Sequence, residues 1–106
     1  MARLFLDDER FPVGDGWVIV RSCEAAIAWV LANGCPAYVS FDNDLGAGRR
    51  EGWEFAQWLI ERDLDVGDLP AGFSFYVHSQ NPVRRDDIAA RLHGYLGHRA
   101  RHARSP

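Results

Sequence analysis

The sequence predicts a small α/β domain in which about four mainly parallel strands form one sheet, with helices on both of its faces in three layers. Short apolar runs of strand length alternate with longer segments of helical periodicity, in the order β, β, α, β, α, β, α. Of the 106 residues, 47% are hydrophobic and 12% are aromatic, which is typical of a folded chain with a single core.

The N-terminal part of the chain is predicted to form two strands that no helix separates. Residues 3–6 form a continuous apolar run of the kind found in buried strands. Pro12, Gly14 and Gly16 then mark a loop, and a second strand follows at residues 17–21. Since no helix of useful length fits between the two strands, we expect an irregular or very short helical link there.

The first helix and the third strand follow from local capping signals. Ser22 is a favourable N-cap, and the helical pattern continues to about Asn33, where Gly34 provides a C-terminal stop. Residues 37–41 are predicted to be the third strand.

The C-terminal part is predicted to alternate helix, strand and helix. A second helix covers about residues 52–62, and a fourth strand covers residues 73–77. Asn81 and Pro82 begin the last helix, because Asn is a favourable cap and Pro is tolerated in the first turn. We expect residues 1–97 to form a single domain and residues 98–106 to be a basic, disordered tail.

Composition excludes several classes of protein. The net charge of −3 is mild and does not indicate a strongly nucleic-acid-binding surface. Cys23 and Cys35 have neither C-x-x-C nor zinc-site spacing, so reduced cysteines are expected. Because the sequence begins without a leader pattern and no apolar run approaches roughly 18 residues, we expect a cytoplasmic protein with no membrane partner.

Polar residues follow three of the four predicted strands at the point where each strand ends. In chain order they are Asp7, Asp8, Asp42, Asp44, His78, Ser79 and Asn81. Ligands of parallel α/β sheets bind outside the carboxyl ends of the strands, so these residues indicate one shared site. Carboxylates, an imidazole, a hydroxyl and a carboxamide together suit a divalent cation and a phosphate.

Asp7, Asp8 and Asp42 are the candidate ligands of Mg²⁺ or Mn²⁺. Adjacent carboxylates repel one another unless a cation lies between them, and Mg²⁺ is commonly held by one or two carboxylates together with water and phosphate oxygens. Asp42 and Asp44 are also candidate catalytic groups, and Asp44 could either coordinate the cation or act as a general acid or base. In the alternative interpretation these residues are solvated acids, and residues 43–46 form a simple turn.

His78 is the candidate acid or base, because an imidazole exchanges its proton near neutral pH. Arg10, Ser79 and Asn81 are the candidate phosphate-binding residues, and the helix that begins near Pro82 would direct free N–H groups to the same place. The alternative for Ser79 and Asn81 is that they only cap this helix.

Taken together, these motifs resemble the cyclic-phosphate processing receiver-like domains, over about residues 4–96. The segments that carry the resemblance are 4–10, 17 with 20–21 and 24–25, 41–46, 52 with 58–59, and 78–82. The resemblance implies a receiver-like, flavodoxin-like fold and processing of cyclic phosphate ends at an acidic site with a histidine. Family members often have His where Asn43 stands and Gly where Arg84 stands.

The residues and the resemblance together predict a metal-dependent phosphoesterase that acts on the cyclic phosphate of a nucleotide or an RNA end. Two alternatives remain open at this point. The chain could be a degenerate receiver that acts as a protein-interaction module, or an atypical phospho-receiver with Asp42 as the phosphate acceptor. Receivers require a lysine after a later strand, and this chain contains no lysine.

Overall fold

The computed structural model describes residues 2–103 and contains a four-stranded sheet and three helices. Its strands are β1 (Arg3–Leu6), β2 (Trp17–Val20), β3 (Tyr38–Phe41) and β4 (Ser74–Val77). They lie in the order β2-β1-β3-β4, and all three pairings are parallel. This is the order of the first four strands of a flavodoxin-like sheet. The predicted receiver-like α/β fold and its four parallel strands are therefore confirmed.

The helices are α1 (Cys23–Asn33), α2 (Gly52–Val66) and α3 (Pro82–Ala103). The Ser22 side chain caps α1 by accepting a 3.0 Å hydrogen bond from the Ala25 amide. Gly34 ends the helix with a φ of 86°, a conformation that favours glycine. α2 continues one turn further than predicted and ends at Gly67, which has a left-handed φ of 68°.

All three helices pack against the same face of the sheet. Alternate strand residues such as Leu4, Leu6 and Phe41 lie in one buried cluster with residues from every helix. The helical members of that cluster are Cys23, Ala26, Val30, Phe55, Ala56, Leu59, Ile60, Ile88 and Leu92. This helical layer and one face of the sheet form the core.

The predicted second helical layer is absent from the part of the chain that the structure describes. The opposite face of the sheet carries the other set of alternating residues, and Tyr76 on this face is 60% exposed. Because the link between β1 and β2 contains no helix, it places none across this face. The fold described by residues 2–103 therefore has two layers, a correction to the three layers that the sequence predicts.

Helix α3 is longer than predicted. Arg99 donates a 2.9 Å hydrogen bond to the Leu69 carbonyl and a 3.2 Å hydrogen bond to the Asp63 carboxylate, which Tyr95 also contacts. These contacts hold the end of α3 against the α2–β4 loop. Residues 98–103 are consequently helical rather than disordered, and residues 104–106 of the predicted tail lie outside the described part. Within residues 2–103, no helix combines the length and the apolar character that crossing a membrane requires.

The Asp63 carboxylate should make the stability of the protein depend on acid pH. Burial raises the pKa of Asp63, but hydrogen bonds from Tyr95, Leu69 and Arg99 outweigh burial and hold the pKa below its usual value of 3.8. A lowered pKa stabilises the fold above the unfolded value, and this contribution is lost as pH falls from 3.8 through the folded pKa. We expect Asp63→Asn to cost about 1–3 kcal/mol of unfolding free energy at neutral pH. This cost should become progressively smaller as pH falls from 3.8 through the folded pKa.

Urea denaturation at several pH values measures this effect. Asp65→Asn, which changes an exposed carboxylate of the same helix, is the control and should leave the unfolding free energy nearly unchanged. A cost of Asp63→Asn that is the same at neutral and strongly acid pH would contradict the assignment.

Candidate metal and phosphate site at the strand ends

The register of the sheet places four polar residues side by side directly after the strands. Leu6 pairs with Val20 and with Phe41, and Phe41 pairs with Val77. Backbone hydrogen bonds continue this register for one further residue on three of the four strands. The next residue of each strand therefore belongs to one row at the carboxyl edge, which we call the strand-end row. In sheet order it consists of Arg21, Asp7, Asp42 and His78.

Three members of the strand-end row form a compact cluster of potential ligands. One atom each from Asp7, Asp42 and His78 can be chosen so that all three lie within 4.8 Å of one another. Asp7 is fully buried, Asp42 is 5% exposed, and the His78 side chain is 14% exposed. Asp8, the other predicted metal ligand, is exposed and lies outside this cluster.

Both oxygens of Asp7 accept hydrogen bonds within the protein. Oδ1 accepts from the backbone amides of Glu9 at 2.9 Å and Arg10 at 2.8 Å, and Oδ2 lies 3.0 Å from His78 Nε2. Burial raises the pKa of Asp7, but these hydrogen bonds and the positive potential of His78 outweigh it, so the pKa is lowered. Asp7 is therefore a fixed carboxylate that favours a positive partner.

The His78 ring is held on three sides. Its Nε2 faces Asp7, its Nδ1 lies 2.7 Å from Ser40 Oγ, and its ring stacks on Phe5 with 4.6 Å between centroids. A carboxylate accepts only, so Nε2 carries a proton, and the Ser40 hydroxyl can donate to Nδ1 or accept from it. Sequence reasoning did not find Ser40. The available signal was a serine inside an apolar strand, two residues before Asp42.

Asp42 has a different environment from Asp7. Burial and the nearby charge of Asp7 raise its pKa, while the Asn43 amide, His78 and Arg10 only partly offset the rise. One oxygen accepts a 2.9 Å hydrogen bond from the Asn43 amide. Among the described residues, no hydrogen bond reaches the other oxygen, and Asp42 lines an open cleft. A cation beside Asp42 would relieve the repulsion between the two buried carboxylates.

The acidic cleft, as we call it, has a volume of about 570 Å³ and opens above the strand-end row. The predicted residues Asp8, Asp42, Asp44 and Arg10 all line this cleft. Arg10 is partly exposed, and its Nε lies 3.8 Å from Asp7 Oδ2. The complete lining is Asp8, Glu9, Arg10, Asp42, Asp44, Leu45, Gly46, Ala47, Gly48, Arg49, Glu51 and Gln80.

Asn43 organises the loop that carries Asp42 and Asp44, a role that the sequence did not reveal. It is fully buried, and its Nδ2 donates to Glu51 at 2.8 Å and to Asp44 at 3.3 Å. Its Oδ1 accepts from the Trp53 amide at 3.2 Å. Asn43 therefore ties the end of β3 to the start of α2.

Ser79 and Asn81 form hydrogen bonds with the backbone at the start of α3. Ser79 Oγ accepts a 3.1 Å hydrogen bond from the Asn81 amide, and Asn81 Oδ1 accepts a 3.1 Å hydrogen bond from the Arg84 amide at the start of α3. Neither residue lines the acidic cleft, to which this segment contributes Gln80. The Asn81 hydrogen bond is that of a helix cap, and whether Ser79 and Asn81 also bind phosphate stays a prediction.

A family model described as the cyclic-phosphate processing receiver domain matches residues 2–94 of the chain. No curated protein and no solved structure matches the chain. The matched region includes every residue of the strand-end row and every residue that lines the acidic cleft.

Proposed function

The chain belongs to the family of cyclic-phosphate processing receiver domains, and from this premise we propose that it is a cation-dependent phosphoesterase. The reaction that we assign to it opens a cyclic phosphate on a nucleotide or on an RNA end. A fold does not fix a reaction, so the proposal is carried by one observation about the site. This observation is the convergence of Asp7, Asp42 and His78 within 4.8 Å, next to an open cleft.

The donor set fits Mg²⁺ or Mn²⁺. Asp7 and Asp42 are buried carboxylates in one cluster, and Asp42, which lines the cleft, has one oxygen without a hydrogen bond among the described residues. Such hard cations prefer carboxylate oxygens and retain sites for water and phosphate. We assign Asp7 and Asp42 as the ligands, with Asp8 contributing from the cleft wall. When bound, the cation would polarise the phosphate and lower the pKa of a water molecule.

The residues of the chain supply the proton transfers. Opening a cyclic phosphate forms one bond from a water oxygen to phosphorus and breaks one ester bond. We assign His78, acting as an imidazolium, as the proton donor to the leaving oxygen: Nε2–H would turn from Asp7 to that oxygen, while Nδ1–H keeps its hydrogen bond to Ser40 Oγ and Phe5 fixes the ring. Asp44, which lines the cleft, would take the proton from the water and release it to solvent, and the His78 ring would regain its proton from solvent. Arg10 would bind a phosphate oxygen.

Turnover of a 2′,3′-cyclic nucleotide by the full chain tests the proposal. Product formation should require Mg²⁺ or Mn²⁺ and stop with EDTA. His78→Ala should reduce kcat by about 10²–10⁴-fold, the usual contribution of a general acid. His98→Ala removes an exposed imidazole on α3 and should leave kcat unchanged. Absence of turnover with either cation, or equal turnover by His78→Ala, would refute the assignment.

The same site also suits the second candidate, a phospho-receiver with Asp42 as the acceptor. Its basis is the position of Asp42 in the cleft lining, with one oxygen free of hydrogen bonds among the described residues, and the Ser79 hydroxyl two residues after β4. The absence of lysine argues against it. A mass increase of the protein with a small phosphodonor, lost in Asp42→Asn, would support this candidate over hydrolysis. Neither turnover nor a mass increase would leave the protein-interaction module as the account of the domain.

A further inference from the structure

One face of the sheet is covered by no helix of residues 2–103, and this face is rich in aromatic side chains. Paired residues of parallel strands point to the same side, so the strand register divides this face into two rows. The first row contains Trp17, Arg3, Tyr38 and Ser74, and the second contains Ile19, Phe5, Ser40 and Tyr76. We call this surface the open face.

The open face is continuous with the candidate site. The strand-end row follows the second row on the same side of the sheet, and its His78 ring stacks on Phe5 with an interplanar angle of 2°. Since strands rise about 3.3 Å per residue, the second and first rows lie roughly 7 and 13 Å from the strand-end row. A molecule whose phosphate occupies the site could therefore extend directly over both rows.

The aromatic residues of this face favour a nucleobase over an aliphatic partner. The Trp17 and Tyr38 rings lie 5.8 Å apart, and Tyr76 is 60% exposed. Four-stranded sheets that bind single-stranded RNA use aromatic side chains as stacking platforms for successive bases. The acidic cleft offers no such platform, because none of its lining residues is aromatic.

The charges on this face also suit nucleic acid. Arg3 lies over the Trp17 ring at 4.5 Å, and its hydrogen bond goes to the Asp15 carbonyl rather than to a carboxylate. Arg21, in the strand-end row, likewise donates to backbone carbonyls. Within residues 2–103, neither arginine has a carboxylate within 4.0 Å. Their positive charges are therefore available to phosphates, although the whole chain is mildly acidic.

We propose that the open face binds the bases of a single-stranded RNA whose cyclic-phosphate end lies in the site. The binding of a cyclic-phosphate end in the site rests on the proposed function. The binding of bases on the open face rests on the strand register and on the residues of that face. Tyr76 stacks the base nearest the site, and Trp17 with Tyr38 stacks the next. The proposed substrate therefore includes RNA chains that end in a cyclic phosphate, in addition to cyclic mononucleotides.

Fluorescence anisotropy with a labelled RNA trinucleotide tests the inference. A trinucleotide with a free 3′-hydroxyl cannot be processed, so its binding reports the face and not the reaction. Tyr76→Ala should weaken binding by about fivefold or more, which is the lower range for one stacked base. Tyr76→Phe keeps the ring and should bind like the wild type. Leu64→Ala, at a side chain 69% exposed on α2, is the matched control and should have no effect.

The outcomes separate this inference from the proposed function. Unchanged affinity in Tyr76→Ala would overturn the inference even if the protein turns over a cyclic mononucleotide. Trinucleotide binding that depends on Tyr76, without turnover, would support the face and refute only the phosphoesterase. A dimer in sedimentation that Tyr76→Ala dissociates, with no RNA binding, would show instead that the face joins two copies of the chain and would overturn the inference.

Discussion

Asp42→Asn should abolish turnover while leaving the protein at least as stable as the wild type. Asn has nearly the same shape as Asp but lacks the charge that a divalent cation requires. Loss of an assigned ligand should therefore reduce kcat on the order of a hundredfold or more. Stability should not fall, because the folded state disfavours the charged form of Asp42 through burial and the proximity of Asp7.

The direction of the stability effect follows from the raised pKa. Above the folded pKa the charged carboxylate of Asp42 destabilises the fold relative to the unfolded chain, whose value is near 3.8. The advantage of Asn is therefore full at neutral pH and disappears as pH falls through the folded pKa to below the unfolded value. Urea denaturation in EDTA at neutral and acid pH measures this difference.

A control separates the site from general effects of removing an acid. Asp86→Asn changes a carboxylate that is 80% exposed on α3, and it should alter neither turnover nor stability. If Asp42→Asn retained wild-type kcat, or destabilised the protein at neutral pH without cations, the account of Asp42 would be wrong.

Gly52→Ala should both destabilise the fold and inactivate the site. A Cβ at Gly52 would lie 1.9 Å from the Asp42 carbonyl oxygen and 3.0 Å from Asn43 Cα, both of which belong to the backbone. The start of α2 approaches this close because the Gly52 amide donates a 2.8 Å hydrogen bond to the Asn43 carbonyl. An added methyl group must therefore push β3 and α2 apart, at a cost of about 3 kcal/mol.

The same displacement should affect catalysis. Asp42 would move away from Asp7 and His78, and a misplacement of about 1 Å in an active site commonly costs on the order of a hundredfold in rate. Thermal unfolding and the cyclic-nucleotide assay measure the two effects. Gly94→Ala is the matched control, because Gly94 lies in α3 with no atom near its Cβ position, and it should stabilise by about 0.5–1 kcal/mol. Equal stability of the two variants would contradict the close approach at Gly52.

The order of strands and helices was predictable because each signal is local. Apolar runs, the Ser22 cap and the Asn81–Pro82 helix start all act within a few residues. The layer arrangement was not predictable in this way. Parallel sheets generally have helices on both faces. This arrangement requires a helix in the connections that cross each face, and the β1–β2 link contains none.

The sequence predicted the residues of the site that directly follow the strands, but it did not predict the residues that support them. Asp7, Asp42 and His78 are the first residues after their strands, so the register alone brings them together. Ser40 and Asn43 support them through contacts with residues eight to 38 positions away, which no local pattern encodes. The extension of α3 likewise depends on long-range contacts of Arg99 and Tyr95 with Asp63.

Calorimetric titration of the full chain with Mn²⁺ tests most directly whether Asp7 and Asp42 form one cation site. The titration is run with and without inorganic phosphate and is repeated on Asp7→Asn and Asp42→Asn. We expect the wild type to bind Mn²⁺ and each variant to lose this binding, because both buried carboxylates belong to the same cluster. Wild-type protein that binds no Mn²⁺ even with phosphate, or variants that bind it equally well, would contradict the account.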